Sequence, residues 1–548
     1  MDTDKPNVVF VHIPTLTVGM IEDMFDGQNT EEQQVIFPLG ILYLSAYIKD
    51  KRLVGGACAI DYVEALHAIR SYDDLGDFVR RVATDSVPFA PDILAFSLNM
   101  SLSQPFFLFA LRELKALWPL ATAIVGGAHS TNCTRYLLET CSELDYVIRG
   151  EGEIALAELC REYPAVNADI KGVYSLKKVT EAGSDKLELS PLVENIDSIP
   201  FPDYELLNVE HYVRNHMQFG GRRKRGFSFL TTRGCPYKCS YCSSQTVHGH
   251  GVRCRSVQNV VDEIRMFAEK YQVTLLGPVD DLFTCKKATT LQILAGVQDL
   301  AINDVELQFW NGLHINSLST EVMDALVRSN TTSVALAIES GSPEVQRNIR
   351  KNVNLGKALQ VAAYLHQRGI EVRAYFILGF PGESREQMAA TIDYAKRIEA
   401  DWCHFSVATP LVGSEMYDQF VDKGSIGAFD ADFFANSYYH RRFFDTPEIS
   451  ADELNETVIR ATYEVNFFSN MNMRKGDYPK AMALFSYVLE RYPYNVVAMF
   501  QIMKCYLKMG SLDKVADTLE RIKSSINEDP RARQQFDVWR DQLEPLQQ

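Results

Sequence analysis

The sequence predicts an α/β chain with two successive parallel-sheet units and an all-helical tail. The first unit is a doubly wound open sheet and the second a parallel sheet closed as a full or partial barrel. Three observations predict this. Short apolar runs alternate with segments of helical periodicity across the first 400 or so residues, and such alternation calls for parallel strands joined by helical crossovers. Between the two series, "TTRGCPYKCSYCSSQ" places Cys235, Cys239 and Cys242 close together. Toward the end a self-similarity sets in that matches Gly476 with Gly510, the roughly 34-residue period of stacked helix pairs. A chain of 548 residues is too long for one core. The expected division is 1–195, 196–430, a connector over 431–470, and 471–548.

In the first unit "NVVFVHIP" reads as a strand. "FPLGILYLSAYIKDK" reads as an amphipathic helix with Pro38 near its start, where a missing N–H costs little. "PDILAFSLN", "ATAIVGGAHS" and "LDYVIRGEGE" are further strands ending in small or polar residues, and "IALAELCREY" is a helix. A doubly wound sheet with such strand ends suits a nucleotide-like ligand. His12 and His129 stand at strand ends, where a lone histidine usually serves as hydrogen-bonded structure.

In the second unit "GFSFLTT" is strand-like and leads into the cysteines. "VTLLGPVDDLFT", "VELQFWNGLHI", "TSVALAIESG" and "VRAYFILGFPGE" are further strands, and helical runs such as "GKALQVAAYLHQRG" and "SREQMAATIDYAKRIEA" lie between or after them. Barrel ligands sit at the C-terminal strand ends. The candidates there are Asp280, Asp281, Asn311, Glu339, Ser340, Arg373, Gly379 and Pro381.

The formal net charge of −16 argues against nonspecific binding to a nucleic acid. The one basic run, residues 220–226, reads as a solvated loop. No basic-then-apolar leader opens the chain and no clean apolar span of about 20 residues occurs, so a cytoplasmic protein without a membrane span is expected. The 11 cysteines are no disulfide framework in that compartment. A structural zinc site wants four ligands, and His248 and His250 do not follow Cys242 at a usual spacing. A [4Fe–4S] cube ligated by three thiolates leaves one iron open for a small molecule.

The CxxxCxxC spacing, with Tyr241 before the last cysteine, resembles the signature loop of radical S-adenosylmethionine (SAM) enzymes. The resemblance implies that the second unit is a partial (β/α)6 barrel, that Cys235, Cys239 and Cys242 ligate the cluster and that SAM chelates the open iron, to be cleaved to a 5′-deoxyadenosyl radical. It places Glu339 and Ser340 of "AIESG" near the ribose or methionyl part and Arg373 at the SAM carboxylate. Gly379 and Pro381 of "FILGFPGE" fall beside the adenine. "GPVDDLFT" departs from the Gly-Gly-Glu that commonly takes the SAM amino group, which weakens that role for Asp280. "VATPLVGSEMYD" resembles the family's closing segment, with Ser414 in place of threonine.

The order of the first unit resembles the Rossmann-like cobalamin-binding domain of one subclass of that family. There the cofactor lies between the two domains, and the expected contacts are Asn99, Ser101, Gly126, Gly127, His129, Gly150, Glu151 and Gly152. The DxHxxG motif that supplies a cobalt ligand elsewhere is absent, as is usual in the subclass. The expected activity is methylation of an unactivated carbon of a natural-product, peptide or lipid substrate through methylcobalamin. The alternatives are radical cyclisation, oxidation or epimerisation, with or without cobalamin; a methylthiotransferase; and a non-catalytic scaffold. The resemblance implies no general acid or base. It implies a small-molecule or peptide substrate and a reducing partner such as flavodoxin or ferredoxin.

The aromatic run "ADFFANSYYHRRFFDTP" reads either as a closure over the barrel mouth or as a packed linker. The tail resembles tetratricopeptide repeats (TPR), which points to a protein contact. With fewer than the roughly three repeats a stable array needs, it is expected to lean on the barrel or on another chain.

Overall fold

Strands β1 (Asn7–His12), β2 (Gly56–Asp61), β3 (Ile93–Ser97), β4 (Thr122–Gly126), β5 (Tyr146–Ile148) and β6 (Val173–Tyr174) form the first sheet. Their order is β2-β1-β3-β4-β5-β6, parallel except for β6. The molecule is a computed structural model that describes residues 5–543 apart from 26–34, 69–71, 165–168, 184–185, 221–222 and 301–304. Period-2 alternation explains why both faces of the sheet are covered: Val8, Phe10 and Ile124 face one core, and Val9, Val11 and Val125 the other. The strand order reverses between β1 and β3, so a crevice opens at their carboxyl ends.

The second sheet takes β7 (Gly226–Phe229), then β10 (Leu275–Pro278), β11 (Glu306–Leu313), β12 (Thr331–Glu339), β13 (Glu371–Leu378) and β14 (Trp402–Val407). All pairs are parallel in the order β14-β13-β12-β11-β10-β7, which is an open six-stranded barrel. The run read as one strand, "GFSFLTT", divides. Thr232–Arg233 leaves the barrel as β8 and pairs antiparallel with β9 (Arg253–Cys254), and the cysteine loop hangs between these two short strands. Gly277 is required where Trp310 crosses the barrel interior, since a Cβ there would lie 1.5 Å from the indole.

The connector does more than pack against one unit. The short helix Ala431–Asn436 sends Phe434 against His129 of the first unit, ring centroids 5.1 Å apart. Farther on, the backbone N–H of Val407 donates to the Tyr439 carbonyl at 3.1 Å. Arg442 is fully buried and donates to the Gly379 and Ala408 carbonyls at the ends of β13 and β14. The helical tail leans on the barrel edge: Asn466 hydrogen-bonds the backbone of Cys403 in β14 in both directions, at 2.7 and 2.8 Å. Beside it, Asp401 accepts from Asn472 at 3.0 Å and Lys480 at 2.7 Å. In the basic run, Arg225 is paired with Glu210 and Lys224 with Glu306, while positions 221 and 222 lie outside the described residues.

Candidate active site

The cysteine loop is held from several sides. The Ser240 N–H donates to the Ile349 carbonyl at 3.0 Å, and the Ser240 carbonyl accepts from Met416 N–H at 2.8 Å. Tyr237 stacks on His314 at 4.1 Å with the rings nearly parallel. Cys239 is buried and Cys235 and Cys242 half-buried. Burial pushes all three thiols up, Cys235 to about 11, so without a metal they stay protonated. Among the described residues no trio of His, Cys, Asp or Glu converges as around a single ion; a cube takes its thiolates on separate corners. The donor set suits one: three thiols on one loop, with the Ser244 N–H directed at Cys242 Sγ at 3.5 Å. A partly buried cation, Lys351, stands close by.

Lys351 is the residue that sequence reading missed. Its ammonium pairs with Glu339 Oε1 at 3.1 Å, and the Tyr241 hydroxyl donates to the same oxygen at 3.1 Å. Burial opposes the charge, but the Glu339 carboxylate together with the neighbouring Cys239 and Cys242 raises the lysine's pKa. Glu339 ends β12 at φ 68°, a left-handed conformation uncommon for a non-glycine residue. It sits where the β12–β13 register slips, and so is turned toward the cysteine loop.

Arg373 is placed differently from the expectation. It is the third residue of β13, toward the N-terminal end of the strand and not the ligand-bearing end. Its guanidinium pairs with Glu371 at 2.7 Å, approaches His404 at 3.2 Å and lies 4.0 Å over the Phe219 ring. Ser340 is buried with its hydroxyl 2.9 Å from that of Thr391. Asp280 is also buried: its Oδ1 accepts from the backbone and hydroxyls of Thr231 and Thr232, clamping β10 to the approach to the cysteine loop. Burial pushes that carboxyl up to about 6, against the pull of those hydrogen bonds. Asn311 donates to the Asp280 carbonyl at 3.2 Å. Gly379 donates its N–H to Glu383 at 2.7 Å, and Pro381 lines a separate pocket behind the cysteine loop.

Between the two sheets lies a cavity of ≈ 430 Å³. It opens at the carboxyl ends of β1, β3, β4 and β5 and is closed from the barrel side by Leu230, Arg233, Ser244, Val247, His248, Val279 and Asp281. Asn99, Gly126, Gly127, Gly150, Glu151 and Gly152, the expected contacts, line it. Ser101 and His129 do not. They bond each other at 3.0 Å, and His129 Nε2 meets Gln104 at 2.7 Å. Burial lowers that imidazole's pKa to about 3, which keeps it neutral. His12 is likewise committed, to Asp61 at 3.0 Å and Tyr212 at 3.1 Å. The cavity reaches the cysteine loop through Ser244, whose hydroxyl donates to Asp281 at 2.5 Å.

Three family models match the chain: the radical SAM superfamily over residues 229–395, the B12 binding domain over 30–160 and a tetratricopeptide repeat over 472–534. An uncharacterized methyltransferase of Pyrococcus horikoshii, PH0819, is 26% identical over 381 residues, covering 70% of this chain and 78% of that protein. Cytidylyl-2-hydroxyethylphosphonate methyltransferase of Streptomyces wedmorensis is 25% identical over 429 residues, 71% of this chain and 79% of that one. Among solved structures, TsrM from Kitasatospora setae, a radical SAM methyltransferase with cobalamin and a [4Fe–4S] cluster bound, superposes with a TM-score of 0.59. It is 17% identical and covers 76% of this chain and 75% of its own. That likeness is one of fold.

Proposed function

We propose that this chain, a radical SAM enzyme with a B12-binding domain and a TPR segment whose cofactors are a [4Fe–4S] cluster, SAM and cobalamin, is a methyltransferase acting on an unactivated carbon. The observation that carries the proposal is the cavity itself. One continuous space runs from the strand ends of the first sheet to Ser244 and Asp281 at the cysteine loop. When bound, the cluster supplies an electron to SAM and cobalamin supplies a cobalt that carries a methyl group.

The protein's own part is to hold these groups in line. Cys235, Cys239 and Cys242 take three corners of the cluster. Glu339, with the partly buried Tyr241 and Lys351, would form a polar wall beside it, and Lys351 would meet the negatively charged end of SAM in place of Arg373. Asn99 and the glycines at 126, 127, 150 and 152 cradle cobalamin with their backbone. The connector ties the two units together through Phe434 and Arg442.

The names of the two relatives given above support methyl transfer over cyclisation or oxidation. The substrate is a small molecule or peptide, and a reduced flavodoxin or ferredoxin supplies electrons. Among the described residues no helix is long and apolar enough to cross a membrane. The test is anaerobic reconstitution of the full chain with a cobalamin supply, followed by iron, sulfide and cobalamin analysis. About four irons and one cobalamin per chain are expected. Four irons with no cobalamin would overturn methyl transfer and leave a different radical reaction.

A further inference from the structure

The cavity wall and the cysteine loop share one buried carboxylate. Glu151 follows β5 and lines the cavity. It accepts from Arg233 at 2.9 Å, from Arg253 at 3.0 Å and from His248 Nδ1 at 2.7 Å. Its neighbour Glu153 takes the other side of Arg233 at 2.7 Å. The side chains of Glu151, Glu153 and Arg233 are each less than a tenth exposed. Burial works against the Glu151 charge, but hydrogen bonds from His248 and Arg253 and the charge of Arg233 hold its carboxyl far below the usual range.

All three donors come from the barrel unit and bracket the cysteine loop. Arg233 in β8 precedes Cys235 by two residues, His248 ends the short helix after Cys242, and Arg253 lies opposite Arg233 in β9. The guanidinium of Arg233 lies 5.1 Å over the ring of Tyr43, another cavity residue. The carboxylate therefore fixes both roots of the loop to the loop of the first sheet that forms the cavity rim. Arg233 and Arg253 thus balance Glu151 and Glu153 across the seam between rim and loop.

We propose that Glu151 is a positioning residue that couples occupancy of the cavity by cobalamin to the geometry of the cysteine loop. The inference rests on the reading of the cavity as the cobalamin site. Binding of cobalamin fixes the rim Gly150–Gly152, the rim fixes Arg233 and Arg253, and these fix the loop that holds the cluster. Coupling between two sites is reciprocal, so an assembled cluster also tightens the hold on cobalamin.

The test compares hydroxocobalamin affinity, by equilibrium dialysis under anaerobic conditions, for the full chain carrying its cluster and for the same chain stripped of iron. The wild-type ratio of the two dissociation constants is expected to be about tenfold, within the usual range for coupled sites. In Glu151→Gln the ratio falls to about one. Arg253→Met is the second variant, because Arg253 does not line the cavity and its loss leaves Glu151 paired with Arg233; there the ratio falls to about threefold. Circular dichroism and iron content establish that each variant is folded and takes about four irons. A merely structural weakening lowers both affinities together and leaves the ratio unchanged. A wild-type ratio of one, or the wild-type ratio kept in both folded variants, overturns the inference. Failure of the wild type to bind cobalamin in either state overturns the functional reading, and the inference with it.

Discussion

Gly127→Ala is expected to cost the first unit about 3 kcal/mol or more and to abolish cobalamin retention. Gly127 sits at φ 113°, ψ 175°, a region that only glycine enters without strain of about 1–3 kcal/mol. An added Cβ would also lie 2.6 Å from the Leu98 carbonyl oxygen and 2.7 Å from Asn99 Oδ1. That carbonyl already accepts from the N–H groups of His129 and Ser130 at 3.1 and 3.3 Å. It cannot retreat without breaking the start of the short helix that follows. Overpacking of this kind adds about 1–3 kcal/mol.

Gly126→Ala is the matched control. It has no positive φ, and its Cβ would meet only Ile148 at 4.0 Å. Its stability should stay within about 0.5 kcal/mol of wild type. The assay is limited proteolysis of the first unit with thermal melts, followed by gel filtration of cobalamin-loaded protein. Gly127→Ala should be cut faster, melt earlier and lose cobalamin, while Gly126→Ala should resist cleavage like wild type. Equal stability of the two variants would refute the reasoning.

Cys239→Ser should reduce iron to well under one cluster per chain, measured after reconstitution, with little change in far-ultraviolet dichroism. Full iron would remove Cys239 from the ligand set. Glu383 is buried with one oxygen unpartnered and its carboxyl pushed up to about 7 by that burial. The folded state therefore holds a proton that the unfolded chain releases near 4.5. The stability this gives is full below that value and is lost as pH rises through about 7. Glu383→Gln should accordingly gain on wild type by on the order of 3 kcal/mol between pH 4.5 and 7.5; a difference that does not change with pH would contradict it. Asp401 is buried and joins β13 to the tail through Val372, Asn472 and Lys480. Asp401→Ala should cost about 3–5 kcal/mol and expose the tail to proteolysis first. Cleavage distributed evenly along the chain would count against that anchor.

The periodicity of the apolar runs carried the two sheets, because strand alternation and helical spacing are local. The cysteine triplet and the cavity glycines were legible for the same reason: each is a short run with its own chemistry. Arg373 was misplaced because a strand's sequence does not tell which of its residues lies at the ligand-bearing end. β13 begins at Glu371, only two residues before it. Lys351 gave no signal, since its partner Glu339 stands 12 residues earlier, across the short helix Pro343–Asn348. The Arg233–Glu151 and Arg253–Glu151 contacts join residues 82 and 102 apart, and no pattern in one sequence encodes such a pair. His129 looked like a site residue because it follows a strand end, but Ser101 and Gln104 satisfy both of its nitrogens. The docking of the tail through Asn466 and Asp401 likewise depends on polar residues whose partners lie in another unit.

The central claim is methyl transfer that needs both halves of the cavity. It is tested most directly by the fate of SAM in the reduced, reconstituted chain with and without cobalamin, before any substrate is known. The account predicts S-adenosylhomocysteine, the residue of SAM after its methyl group has left, only when cobalamin is bound. Release of 5′-deoxyadenosine alone, identical with and without cobalamin, would contradict it.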